Sequence, residues 1–272
     1  MIRLMQSSDI GAAMRLKEAA GWNQTSQDWA NCLAVEPEGC WVCEQDGRVT
    51  ATTTAICYGS DLAWIGMVLV DPEFRNRGLA RRLMEHCLEW LAARQIRQIK
   101  LDASDMGFPL YEKLGFHTER TTERWAASGN SGPKLLNSHL PVDPISSLDR
   151  ECFGVDRSRL FQRLLDAFPT QGMWREDEGF ALGRPGSNAY FLGPCSAQNP
   201  DSARRLIQSL MEHIGGSQFF WDLFPDNDAV VNLARELGFE RKRTLIRMFL
   251  HPQSTIPGRP ECVFAGAGFE YG

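Results

Sequence analysis

The chain repeats itself. Shifted by 123 residues without a gap, Ala80-Arg81-Arg82-Leu83 falls on Ala203-Arg204-Arg205-Leu206, and Leu114-Gly115-Phe116 falls on Leu237-Gly238-Phe239. Arg120, Thr121 and Arg124 fall on Arg243, Thr244 and Arg247, and 14 of the 46 positions from 80 to 125 are identical. Such a duplication asks for two copies of one helix–strand–helix–strand unit. A length of 272 residues accommodates two small domains. The small-residue break Ser128-Gly129-Asn130-Ser131-Gly132-Pro133 is the expected junction. The reading is a first unit over 1–126, a linker over 127–142 and a second unit over 143–272.

Within the first copy, the short apolar run from Ile65 to Val70 reads as a buried strand. Asp71-Pro72 ends it, because proline lacks the ladder N–H and restricts the residue before it. From Leu79 the apolar residues Leu83, Met84, Cys87, Leu88 and Leu91 follow at helical spacing. Between strand and helix sits Arg75-x-x-Gly78-x-Ala80. Gly78 permits a sharp turn and a close backbone approach. Free N–H groups at a helix start, reinforced by the dipole, hold anions. Arg75 and Arg77 add cations suited to phosphate geometry. The expected ligand is a pyrophosphate.

Strand, Arg-x-x-Gly-x-Ala and helix together resemble the acetyl-CoA signature of the GCN5-related N-acetyltransferases, the GNAT superfamily. About thirty residues later, Pro109-Leu110-Tyr111-Glu112-Lys113-Leu114-Gly115-Phe116 resembles that family's second signature. The resemblance covers residues 1 to about 126. It implies an α/β fold of α+β type: a mixed, mostly antiparallel sheet flanked by helices, with two central strands splayed apart to admit the cofactor. The whole layout resembles bacterial tandem GNAT proteins with a catalytic first half and a degenerate second half.

Taken in order, Ile2 to Met5 is a first strand, and Asp9 or Ser8 caps a helix from Ile10 to near Gly21. Ser26 is expected to cap a second helix carrying Trp29, Leu33 and Val35. Cys40–Glu44 and Arg48–Tyr58 read as a hairpin around Gln45-Asp46-Gly47. A strand to Val70, a helix Leu79–Ala93, a strand Gln98–Asp102, a helix Met106–Leu114 and a strand Thr118–Ala126 follow, with Gly115 stopping the second of these helices.

The second copy differs where the chemistry lies. Gly78 corresponds to Asp201, Arg75 to Gln198, Arg77 to Pro200 and Tyr111 to Ala234. An acidic residue repels an anion from such a cradle, and proline removes a donor. One competent site is therefore expected, in the first copy. The tail after Pro257, rich in glycine and aromatic residues, is expected to dock across another surface rather than fray.

The resemblance implies roles for single residues. The backbone of Val68, Leu69 and Val70 would bind the pantetheine arm and thioester as an oxyanion site. Arg75, Asn76, Arg77, Gly78, Leu79 and Ala80 would cradle the pyrophosphate. Tyr111 matches the tyrosine that gives a proton to the departing CoA thiolate. Ser104 stands where relatives often carry an Asn on the pantetheine. The central strand carries no carboxylate to act as general base. Trp22 and Trp29 are candidates to line an acceptor pocket, with Asp222 or Glu270 meeting an ammonium if the second copy and tail roof it.

The function implied is acetyl-CoA-dependent acetylation of an amine, expected to be a small molecule. The alternative is a fold kept for CoA binding or regulation without turnover. A net charge of −5 and a pI near 5.6 disfavour nucleic acid. No apolar run approaches the ~20 residues of a membrane span, and the N-terminus lacks a signal-peptide core. The eight cysteines are scattered, as expected for reduced thiols in the cytoplasm. Cys40-x-x-Cys43 has no second pair to complete a zinc site, so no metal is expected. A monomer or homodimer is expected.

Overall fold

A computed structural model describes residues 1–129, 140–169, 171–214, 218–250 and 256–272. The first repeat runs β1 (Ile2–Leu4), α1 (Ile10–Ala19), α2 (Ser26–Val35), β2 (Cys40–Gln45), β3 (Arg48–Tyr58), β4 (Leu62–Val70), α3 (Leu79–Ala93), β5 (Gln98–Ala103), α4 (Phe108–Lys113) and β6 (His117–Ser128). The second runs α5 (Val142–Phe153), α6 (Ser158–Ala167), β7 (Gly172–Arg175), β8 (Gly179–Arg184), β9 (Tyr190–Ala197), α7 (Pro200–Ile214), β10 (Gln218–Leu223), α8 (Asp228–Glu236), β11 (Glu240–Leu250) and β12 (Val263–Ala265). Of the expected linker, residues 130–139 lie outside the described residues, β6 ends at Ser128 and α5 begins at Val142.

The strands form one 12-stranded sheet, ordered β1-β2-β3-β4-β5-β11-β6-β10-β9-β8-β7 with β12 beside β9. Among the described residues only β4–β5 and β9–β10 are parallel pairs. The two repeats have exchanged their last strands. β11 of the second repeat lies between β5 and β6, and β6 of the first lies between β11 and β10. Hydrogen bonding therefore runs unbroken across the junction between the copies. Arg124 on β6 stands opposite Arg243 on β11, and Arg120 opposite Arg247, so a local two-fold relates the repeats.

Helices cover both faces. α3 buries Leu79, Leu83, Met84, Cys87 and Leu91 against one face of the first repeat's sheet, and α1 and α2 cover the other together with Leu160 and Leu164 of α6. Side chains alternate across a strand. Cys40 consequently packs in one core and Cys43 in the other, both buried as free thiols. Thr25 rather than Ser26 caps α2, its N–H and hydroxyl both donating to Asp28 at 2.7 and 2.9 Å. Asp9 acts one turn before α1, accepting the Gln6 N–H. Among the described residues no helix is long and apolar enough to cross a membrane.

The tail crosses to the first repeat and is buried there. Trp64 Nε1 donates to the Phe269 carbonyl at 2.9 Å, Tyr58 donates to the Tyr271 carbonyl at 2.6 Å, and Arg157 donates to the Gly272 carbonyl at 2.9 Å. Gly66 of β4 makes room for it, since a Cβ there would stand 3.0 Å from Glu270 Cα.

Candidate active site

β4 is irregular where it matters. Its pairing with β3 slips between Gly66 and Leu69, and Met67 takes a positive φ of 52°. Thr52 holds this bulge by donating to the Met67 carbonyl at 2.8 Å. On its other side β4 pairs with β5 only over Leu62–Trp64, and the strands then part. Asp71 N–H donates to Thr50 on β3. By alternation, the polar groups of Val70 and Val68 face the side that β5 has left.

The resulting cleft, about 640 Å³, has the length of β4 from Val68 to Val70 as one wall. Ser104, Gly107 and Tyr111 form the other. At the mouth stand Arg75, Asn76, Gly78, Leu79 and Ala80, joined by Arg81, which the motif reading did not single out. Asn76 and Gly78 both have left-handed φ, 60° and 75°, which folds the loop back on itself. Gly78 gives α3 no side-chain cap, so the N–H groups of its first turn stay available to a ligand. Arg75 Nε lies 3.4 Å from the Val70 carbonyl. Arg77 does not line the cleft: it donates to the Glu73 carbonyl at 3.0 Å and stacks 4.8 Å from the Phe74 ring centre.

Tyr111 stands where the cleft meets a second, much narrower cavity of about 60 Å³. It is 7% exposed, and burial pushes its phenol above the ordinary range. Gly107 leaves space for the ring, since a Cβ there would lie 2.8 Å from Tyr111 Cε2. Phe116 packs edge-on against it at 6.1 Å.

Both repeats build the second cavity. Trp22 and Gln24 come from the α1–α2 loop, Gly66 and Met67 from the bulge, Arg124 from β6, Arg243 and Leu245 from β11, and Phe269 and Glu270 from the tail. Glu270 is held by Arg184 and by Gln24 Nε2 at 2.6 Å, and Arg184 also donates to Asp28 at 2.9 Å. Burial, opposed by Arg184, pushes the Glu270 carboxyl up. Asp102, also on the wall, accepts two 3.0 Å bonds from Arg247.

Trp22 lines both cavities, whereas Trp29 is fully buried in the core beneath α2 and lines neither. Asp222 is buried behind Arg124, which it accepts twice at 2.7 Å, and is likewise absent from the lining. Among the described residues no group of three or more His, Cys, Asp or Glu stands ready for a metal.

A splayed β4–β5 pair, a bulge at its fork and a helix start at its mouth define an acyl-CoA-dependent N-acetyltransferase of the GNAT type. Two models of that family match the chain, the acetyltransferase (GNAT) family over residues 12–116 and an acetyltransferase (GNAT) domain over 145–265. The chain belongs to this family and carries two of its domains in tandem. It is 26% identical to the uncharacterized N-acetyltransferase YitH of Bacillus subtilis over 87% of this chain and 86% of that one. It is 22% identical to the holothin acyltransferase of a Pseudoalteromonas strain, over 85% and 81% of the two chains. The fold is shared with a Pyrococcus horikoshii protein assigned as an acetyltransferase: TM-score 0.83, 20% identity, covering 100% of this chain and 95% of that one.

Proposed function

We propose that the first repeat transfers an acetyl group from acetyl-CoA to the amine of a small molecule, and that the second repeat carries no site of its own. One observation supports this above the others. The loop at the α3 start, the exposed edge of β4 and Tyr111 line a single cleft, and that cleft meets beside Tyr111 a second cavity built by both repeats. In this reading the cosubstrate lies along the cleft, and the amine reaches the thioester from the narrower cavity beside Tyr111.

In this reading the first-turn N–H groups of α3 and Arg75 hold the pyrophosphate, and the Val68 and Val70 backbone aligns the thioester. The bulge aims an N–H at the thioester oxygen, where negative charge develops. The neutral amine attacks the carbonyl carbon from the second cavity. As the C–S bond breaks, Tyr111 gives its proton to sulfur, and the nitrogen loses one to Glu270 or water. Burial raises the affinity of Glu270 for a proton, which suits it to take the one the amine gives up.

Calorimetric titration with acetyl-CoA, desulfo-CoA and free nucleotide tests the reading, followed by thiol release with a panel of amines. One site per chain that requires the pyrophosphate is expected. Two sites, or none, would overturn it.

A further inference from the structure

We infer that the acceptor is an amine that also bears an anionic group, a carboxylate or a phosphate, and that Arg243 of the second repeat receives that group. This rests on the reading of the second cavity as the side from which the acceptor enters.

The charges around the cavity carry the argument. The carboxylates on or directly behind its wall are already engaged: Asp102 by Arg247, Asp222 by Arg124 and Glu270 by Arg184 and Gln24; Asp105, next to Ser104, acts on Arg243 only through space. Arg243 lines both the cavity and the cleft and has no ion-pair partner among the described residues. Burial and the neighbouring Arg124 guanidinium hold Arg243 below the usual arginine range despite the opposing pull of Asp222 and Asp105, so an anion placed directly on the guanidinium supplies a partner that these carboxylates do not. A planar guanidinium beside a vacant volume matches a carboxylate or phosphate oxygen pair.

The local two-fold provides an internal control. Arg120 is the counterpart of Arg243 in the repeat, and on that side Asp226 of the second repeat takes it in an ion pair. The same arginine is thus neutralised in the half that lost its acetyl-CoA signatures and left open in the half that kept them. At the opposite side of the cavity Glu270 lies against Gly66 on β4, two strand positions from β11. A proton-accepting carboxylate on the β4 side and an unpaired guanidinium on β11 fit a molecule with an amine at one end and an anion at the other.

The test is a set of matched acceptors assayed by CoA release: α-amino acids, their carboxamides, the decarboxylated amines, and phosphorylated aminoalcohols beside the unphosphorylated ones. The wild type is expected to favour an anionic member over its neutral partner about tenfold to a hundredfold in kcat/KM. The carboxylate and phosphate series show which anion is preferred. Arg243→Gln is expected to erase the preference through KM, with acetyl-CoA affinity little changed. Equal use of matched neutral amines, or a preference that survives Arg243→Gln, overturns the inference. So does a loss confined to acetyl-CoA binding, because the guanidinium would then serve the cosubstrate.

Should no amine turn over, acetyl transfer itself fails and the anion site is read separately. CoA-saturated protein is titrated with N-acetyl amino acids, their N-acetyl carboxamides and N-acetyl aminoalcohol phosphates. Binding of either anionic series alone, lost in Arg243→Gln, sustains the anion site. Binding of none, or of all equally, overturns it.

Discussion

Arg247 of the second repeat grips Asp102 of the first through two 3.0 Å hydrogen bonds, directly across the β5–β11 seam. The mirror contact, Arg124 of the first repeat on Asp222 of the second, closes the β6–β10 seam at 2.7 Å. Each exchanged strand is therefore locked to its host by a buried, bidentate ion pair. Removing one partner of such a pair leaves the other charge buried and unpaired, which costs about 3–5 kcal/mol. Arg247→Ala should lower the unfolding free energy from urea titration by that much, whereas Arg120→Ala, whose partner Asp226 is 57% exposed, should cost under about 1 kcal/mol.

The exchange also decides what a fragment can do. β5 and β6 do not pair with each other, because β11 lies between them. A chain ending at Ser128 keeps the whole acetyl-CoA motif yet loses β11, the tail and Arg243. Such a fragment is expected to lack a cooperative unfolding transition by circular dichroism. Supplying residues 140–272 as a second chain should restore it, and a stable, monomeric 1–128 would contradict the exchanged topology.

Much of the site was legible because it is local. The Arg75–Ala80 loop, the proline stop after Val70 and the spacing from Leu79 to Leu91 sit in one continuous stretch, and α3 spans Leu79–Ala93 as its pattern requires. The exchange was not legible. A repeat states that two similar final strands exist, but either can satisfy the same ladder, and pairing partners are a property of the assembled sheet. For the same reason Arg124 and Arg243 were visible as repeat-matched positions without any sign that they face each other or a cavity. Trp22 and Trp29 looked equivalent near one loop. Only the buried face of α2 separates them, taking Trp29 into the core and leaving Trp22 at the site.

Gly78→Asp imports the second repeat's own residue at the corresponding position. A Cβ there meets nothing within 4 Å, but the φ of 75° is costly for a side chain, by about 1 kcal/mol. The larger effect falls on the ligand, since a carboxylate at the helix start opposes a pyrophosphate. Desulfo-CoA affinity should fall by about tenfold or more while the unfolding midpoint moves little. Unaltered binding would remove this loop from the cosubstrate site.

Gly66→Ala tests whether the tail shapes the acceptor cavity. The added methyl would come within 3.0 Å of Glu270 Cα and 3.2 Å of its carbonyl oxygen, backbone atoms that cannot swing aside. The tail must shift, carrying Glu270 and Phe269 with it. Acceptor KM should rise several-fold, with stability lower by about 1–3 kcal/mol and acetyl-CoA affinity nearly unchanged. An unchanged acceptor KM would mean that the tail only covers the first repeat.

Tyr111 gives the last prediction, from the direction in which burial moves it. A raised pKa means that the protonated, donating form persists to higher pH than a free phenol's ~10. The wild-type rate should therefore climb with pH as the acceptor amine loses its proton, with no descending limb below about pH 10. Tyr111→Phe removes the donor but keeps the ring against Phe116, so the acetyl-CoA KM should hold while kcat drops by about 10²–10⁴-fold. The drop should be smallest for thioesters with a more acidic leaving thiol, which need the proton least. A variant with the wild-type rate for every thioester would show that the departing sulfur takes its proton elsewhere.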